Sequence, residues 1–150
     1  MKVLFLDVDG VLNAHRKGRN GFCYFEPVCV ENLNKILFSI TDLQIVISSS
    51  WRYMIEPSVM TLLGFEYLLI VSGVACKARI LGMTTRDKEI PGRADQIKRW
   101  LDEHPDVTKH LALDDLDWDF PSRKIVSLQT DGYVGLTEES AQEIINYFNS

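Results

Sequence analysis

Apolar residues in this chain fall into two patterns: short unbroken runs, and longer stretches in which they recur at helical spacing. Val3-Leu4-Phe5-Leu6 is an unbroken run that stops at Asp7, Asp9 and Gly10. It predicts a strand buried on both faces. The stretch from Asn13 to Pro27 holds Gly18, Gly21, charges and aromatics, and predicts a loop or short hairpin. Pro27 suits a helix start, and Val30, Leu33, Ile36, Leu37 and Ile40 then recur on one helical face. Leu43 to Ile47 is a second strand, ending at Ser48, Ser49 and Ser50.

Pro57 opens a short predicted helix carrying Val59, Leu62 and Leu63 and closed by Gly64. Glu66 to Val71 and Ala78 to Leu81 are strand candidates, and the residues after Gly82 predict a loop. Ala94 to Leu101 predicts a helix with Ile97 and Leu101 on one face. Leu111-Ala112-Leu113 is a short apolar strand ending in Asp114 and Asp115, and Ile125 to Leu128 is another. Thr137, followed by Glu138 and Glu139, opens a last helix whose apolar face is Ala141, Ile144, Ile145 and Phe148. Strands alternating with helices imply an α/β protein with an open, mostly parallel sheet covered on both sides. Ligands of such sheets bind beyond the carboxyl ends of the strands.

At 150 residues, the expectation is a single domain over 1–150. Cys23, Cys29 and Cys76 make an odd number without C-x-x-C spacing, which argues against a disulfide framework and a zinc site. The first apolar run is too short for a signal peptide or a membrane span, so a cytoplasmic location without membrane association is expected. A net charge of -5 argues against a general nucleic-acid binder. Two segments are locally basic, however: Arg16, Lys17 and Arg19, and the stretch from Lys77 to Arg99. They are either solvated surface or a face turned toward an anionic substrate.

The strand ends change the picture most. The first gives Asp7 and Asp9, the second Ser48, Ser49, Trp51 and Arg52, a later one Asp114 and Asp115. In a parallel sheet these ends converge, and crowded carboxylates repel one another unless a cation sits among them. Hard oxygen ligands favour Mg²⁺. Such an ion can clamp a phosphate, hydroxyls near Ser48 can hold it, and an Arg or Lys can complete the charge balance. A carboxylate can then attack phosphorus, while a second one serves as acid and base. D-x-D also occurs in calcium loops, but an EF-hand needs further acids before its Gly and does not follow a buried strand.

Those residues resemble the motifs of the haloacid dehalogenase (HAD) superfamily. DVDGVL is similar to its first motif, IVIS to its second and LALDD to its fourth, in order over nearly the whole chain. The resemblance implies a three-layer α/β/α Rossmann-like fold with a minimal, hairpin-type cap over Ala14 to Glu26. It implies that Asp7 is the nucleophile and a metal ligand. Asp9 is then the general acid/base and binds metal through its carbonyl. Ser48 binds phosphate with Ser49 close by, and Asp115 holds Mg²⁺ with support from Asp114. The third motif normally supplies a Lys. Here Arg93 opens the following helix and Lys88 lies just upstream, and Arg93 is the better candidate.

Dehalogenases lack the second acid that phosphatases and phosphotransferases keep, so Asp9 points to phosphate chemistry. SSSWR, GMTTR, GRADQIKRWL and QTDGYVGLT more closely resemble HAD domains attached to bacterial and phage RNA-repair proteins. This finer likeness implies a phosphorylated small molecule, a nucleotide or a nucleic-acid end as substrate. No obligate protein partner is implied. Arg52, Lys88 and Arg16 are candidate substrate contacts, and Trp51 is either a leaving-group contact or core packing. The alternatives are a phosphotransferase of the same fold and a catalytically silent binding module. A signalling receiver has its acids in the opposite order along the chain.

Overall fold

The computed structural model describes residues 1–15, 25–55 and 60–150. Five strands, β1 (Lys2–Leu6), β2 (Leu43–Ile47), β3 (Ile80–Met83), β4 (Lys109–Asp114) and β5 (Ser127–Gln129), form one sheet in the order β3-β2-β1-β4-β5. Every neighbouring pair is parallel. The helices are α1 (Pro27–Ser39), α2 (Leu62–Val71), α3 (Arg93–Glu103) and α4 (Glu138–Asn149).

The pleat divides the core in two. Leu4, Leu6, Ile45, Ile47, Leu111 and Leu113 face one way and pack with Leu33, Ile36 and Leu37 of α1, Phe65 and Leu69 of α2, and Ile144 and Phe148 of α4. Val3, Phe5, Val46 and Ala112 face the other way, against Ala94, Ile97 and Trp100 of α3. This is the three-layer α/β arrangement, with α1, α2 and α4 on one side and α3 on the other. No helix of the described residues is long and apolar enough to cross a membrane.

Three elements differ from the sequence expectation. The residues read as a helix ending at Gly64 and a strand over Glu66 to Val71 are one helix, α2. Thr61 is its N-cap, its hydroxyl accepting from the Gly64 N–H at 3.0 Å, so the glycine lies inside the first turn instead of past the last. Strand β3 lies two residues later than expected. Strand β5 likewise begins at Ser127, because Ile125 turns into the α3-side core after a left-handed Lys124. Arg16, Cys23, Pro57 and most of the expected hairpin over Ala14 to Glu26 lie outside the described residues. Cys29 and Cys76 are buried free thiols.

Successive crossovers build β1, β2 and β3 in one direction, and the chain then returns across β1 to place β4 and β5 on its other side. The connection reverses between β1 and β4, and a crevice opens there at the carboxyl ends.

Candidate active site

Sheet register sets the first row of the site. Leu6 pairs with Ile47 on one side and Leu113 on the other. The ladder continues one residue further: the Asp7 N–H donates to the Leu113 carbonyl at 3.0 Å, Ser48 N–H to Leu6 at 2.9 Å, Thr84 N–H to Ile47 at 2.9 Å and Thr130 N–H to Asp114 at 2.9 Å. Thr84, Ser48, Asp7 and Asp114 therefore lie side by side across the sheet edge, with Thr130 one residue beyond the Gln129 that pairs with Asp114, and all five are buried. Alternation aims Asp7 to the α3 side, since Leu6 faces the other layer.

Arg93 comes from that side as the first residue of α3. Its Nη1 lies 2.9 Å from Asp7 Oδ2 and 2.6 Å from Asp114 Oδ2, so one nitrogen bridges both carboxylates. The Trp118 ring covers the guanidinium, with Arg93 Cζ 5.1 Å from its centroid, and Trp118 Nε1 donates to Asp114 Oδ1 at 3.2 Å. Asp7 Oδ1 accepts from the Val8 N–H at 2.8 Å, and the Ser49 hydroxyl favours the ionised form of the same carboxylate. Burial nevertheless pushes the Asp7 carboxyl up to about 6; Arg93 pulls it down and Asp114 pushes it up. Burial likewise raises Asp114 despite Arg93.

Among the described residues, Asp7, Asp114 and Asp115 each offer a carboxylate oxygen, all within 4.8 Å of one another. The backbone around Asp115 leaves no space to spare. A Cβ on Gly10, whose φ is +77°, would fall 2.4 Å from Asp115 Cγ, and one on Gly132 would fall 2.7 Å from its Oδ2. His15 Nε2 sits 2.9 Å from Asp115 Oδ2, and Gln129 Nε2 donates to the Asp115 carbonyl at 3.0 Å. A set of hard carboxylate oxygens at one crevice fits a divalent cation such as Mg²⁺. One arginine cannot balance three acids, and a dication would relieve the remaining repulsion.

Asp9 lies beside this group and is half-buried. Asn13 Nδ2 donates to its Oδ1 at 2.8 Å and Trp51 Nε1 to its Oδ2 at 2.9 Å. Ser48 Oγ is buried and, among the described residues, has no hydrogen-bond partner; Thr84 Oγ1 shares that condition. A buried hydroxyl without a partner beside Asp7 is a ready donor for an incoming oxyanion.

The other sequence candidates divide. Arg93 reaches the cluster, whereas Lys88 is exposed and, among the described residues, makes no ion pair with it. Arg52 is buried and committed to protein: it donates to the Ser49 carbonyl at 2.6 Å, Gln96 Oε1 at 2.7 Å and the Thr85 carbonyl at 3.2 Å. It braces the serine turn from behind. Apart from Arg93, the described bases between Lys77 and Arg99 do not converge on the site. Arg79 caps α1 through the Leu37 and Ile40 carbonyls, Arg86 binds the Ile55 carbonyl, and Lys98 and Arg99 pair with acids of their own helix. Trp118, His15, Asn13 and Thr130 had no signal in the sequence. Asn13 and His15 follow β1, Trp118 follows β4 and Thr130 follows β5.

Residues 3–141 match the family model described as the HAD domain in Swiss Army Knife RNA repair proteins. The chain belongs to this HAD family. The match runs from within β1 to the first turn of α4 and so takes in the row just described. It thus supports a HAD-fold enzyme family that works with a divalent metal. No curated protein matches the sequence significantly.

Proposed function

We propose that this HAD domain is a Mg²⁺-dependent phosphomonoesterase that works through an aspartyl phosphate on Asp7. The observation carrying this reading is the meeting of Asp7, Asp114 and Asp115 within 4.8 Å at the sheet's switch point. Asp7, Asp115 and the Asp9 carbonyl would hold the ion, with Asp114 supporting it. When bound, Mg²⁺ supplies positive charge to the phosphate oxygens and to the acids around them.

The protein's own groups account for the remaining chemistry. Ser48 and Arg93 receive the phosphate oxygens, and Ser49 and the Val8 N–H keep the Asp7 carboxylate aimed. An Asp7 oxygen forms a bond to phosphorus as the bond to the leaving oxygen breaks, and Asp9 gives that oxygen its proton. Asp9, now ionised, takes a proton from water as the water attacks the aspartyl phosphate. Inorganic phosphate leaves and Asp7 is restored.

The substrate we favour is a phosphate on a nucleotide or a polynucleotide end, in keeping with a family described from RNA repair proteins. Free buried thiols at Cys29 and Cys76 suit a reducing cytoplasm. The test is hydrolysis of an aryl phosphate with and without Mg²⁺, by the natural protein and by Asp7→Asn. Turnover only with Mg²⁺, lost in the variant, supports the reading; equal rates in both proteins sink it. Added alcohols that capture the phosphoryl group would reassign the enzyme as a phosphotransferase. Comparing 3′- and 5′-phosphorylated oligonucleotides with mononucleotides tests the substrate, and indifference to the nucleotide part would remove that proposal.

A further inference from the structure

Trp51 follows the phosphate-side serines, in the short 3-10 turn Ser50–Met54 that Ser49 caps by accepting from the Trp51 N–H at 3.3 Å. Its indole is wedged between Phe25 and Phe65, with ring centroids 5.7 and 6.0 Å away. Packing alone would explain a tryptophan here, but it does not explain the direction of the indole N–H. Nε1 points to Asp9 Oδ2 at 2.9 Å, across the crevice from β2 to β1. Asn13 takes the other oxygen, and Asn13 is itself fixed by accepting from the Gly10 N–H at 3.0 Å. Two donors on different oxygens set the plane of a carboxylate, where one would leave it free to swing.

We infer that Trp51 is the positioning residue for Asp9, holding its carboxylate where it can protonate the leaving oxygen. The inference rests on the phosphomonoesterase reading above. A rigid aromatic ring clamped by two others is a better support than a flexible donor, because the ring has no other orientation to adopt. It also ties the acid to the turn that carries Ser48 and Ser49, so the phosphate and the proton donor share one frame. Displacing a proton donor by about 1 Å can reduce a rate ~100-fold.

Leaving-group chemistry separates this role from packing. Nitrophenolate departs as a stable anion and needs little help from an acid, whereas an alkoxide must be protonated as it leaves. kcat/KM covers the steps through loss of the leaving group, so the later attack of water does not blur it. In Trp51→Phe, kcat/KM for an alkyl phosphate is expected to fall about 10- to 100-fold further than kcat/KM for p-nitrophenyl phosphate. In an Asp9→Asn background the same change should add almost nothing, since the group it positions is gone. An isosteric Trp51 analogue with sulfur in place of the indole N–H preserves the packing and should behave like Trp51→Phe; it serves as the variant if Trp51→Phe does not fold. Equal losses on both esters, no loss on either, or full additivity with Asp9→Asn would overturn the inference. The phosphomonoesterase reading fails separately, when the natural protein shows no Mg²⁺-dependent hydrolysis or Asp7→Asn retains it.

Discussion

Asp7 is held ionised against its surroundings. Burial raises its carboxyl from an ordinary 3.8 to about 6, even with Arg93 beside it. The native protein therefore binds this proton more tightly than the unfolded chain does. In metal-free protein, the stability contributed by protonated Asp7 is complete below about pH 4 and is lost as pH rises through about 6. The full difference is on the order of 3 kcal/mol. Urea unfolding in chelator should give a lower stability at pH 7.5 than at pH 5, and Asp7→Asn should reduce that slope, with Asp114 contributing the remainder. A profile unchanged by the substitution would place the titration elsewhere. Gly10 makes a second case at the same scale. With φ at +77° and a would-be Cβ 2.4 Å from Asp115 Cγ, Gly10→Ala strains the backbone and displaces Asp115 together. It should destabilise the fold by about 1–3 kcal/mol and weaken Mg²⁺ binding, as thermal melts with and without the ion would show.

At the scale of elements, the strand ends were legible in the sequence because a buried parallel strand is an unbroken apolar run, and its end is marked by the first acid or serine. That located Asp7, Ser48 and Asp114 before any coordinates. Helix α2 was not legible for the complementary reason. Its sequence, LLGFEYLLIV, is apolar on all sides and lacks the period that separates a helix from a strand, and Gly64 imitates a stop. Pairings between elements were out of reach too. That Trp51 meets Asp9, Trp118 covers Arg93 and His15 meets Asp115 depends on how turns fold over the sheet edge, which no spacing along the chain encodes. Arg52 shows the point most clearly. Read as a substrate contact from its neighbours in sequence, it instead joins the serine turn to Thr85 and to Gln96 of α3. Arg52→Met should destabilise the protein by about 2–4 kcal/mol in urea unfolding, since Gln96 and the Ser49 carbonyl lose a buried charged donor. It should also lower kcat by loosening Ser49. A stable, fully active variant would contradict this bracing role.

For the molecule as a whole, the site joins parts of the chain that are distant in sequence. Asp7 leaves β1 and Asp114 and Asp115 leave β4, and the sheet order makes those strands neighbours. An ion bound there would engage only the folded protein, so it would add stability that grows with the logarithm of its free concentration above Kd. Mg²⁺ should raise Tm, a chelator should reverse the rise, and Asp115→Asn should abolish it while leaving the metal-free Tm near its original value. A Tm indifferent to Mg²⁺ in the natural protein would separate the acids from any metal role.

The aspartyl-phosphate mechanism requires Asp7 to be the nucleophile that attacks phosphorus. Turnover of a phosphate ester with Mg²⁺, quenched in acid within milliseconds and digested for mass spectrometry, tests this directly. The expected result is one phosphoryl group on the peptide that begins the chain, located at Asp7 and absent in Asp7→Asn. Steady hydrolysis with that peptide unmodified, or with the phosphoryl group on another residue, would contradict it.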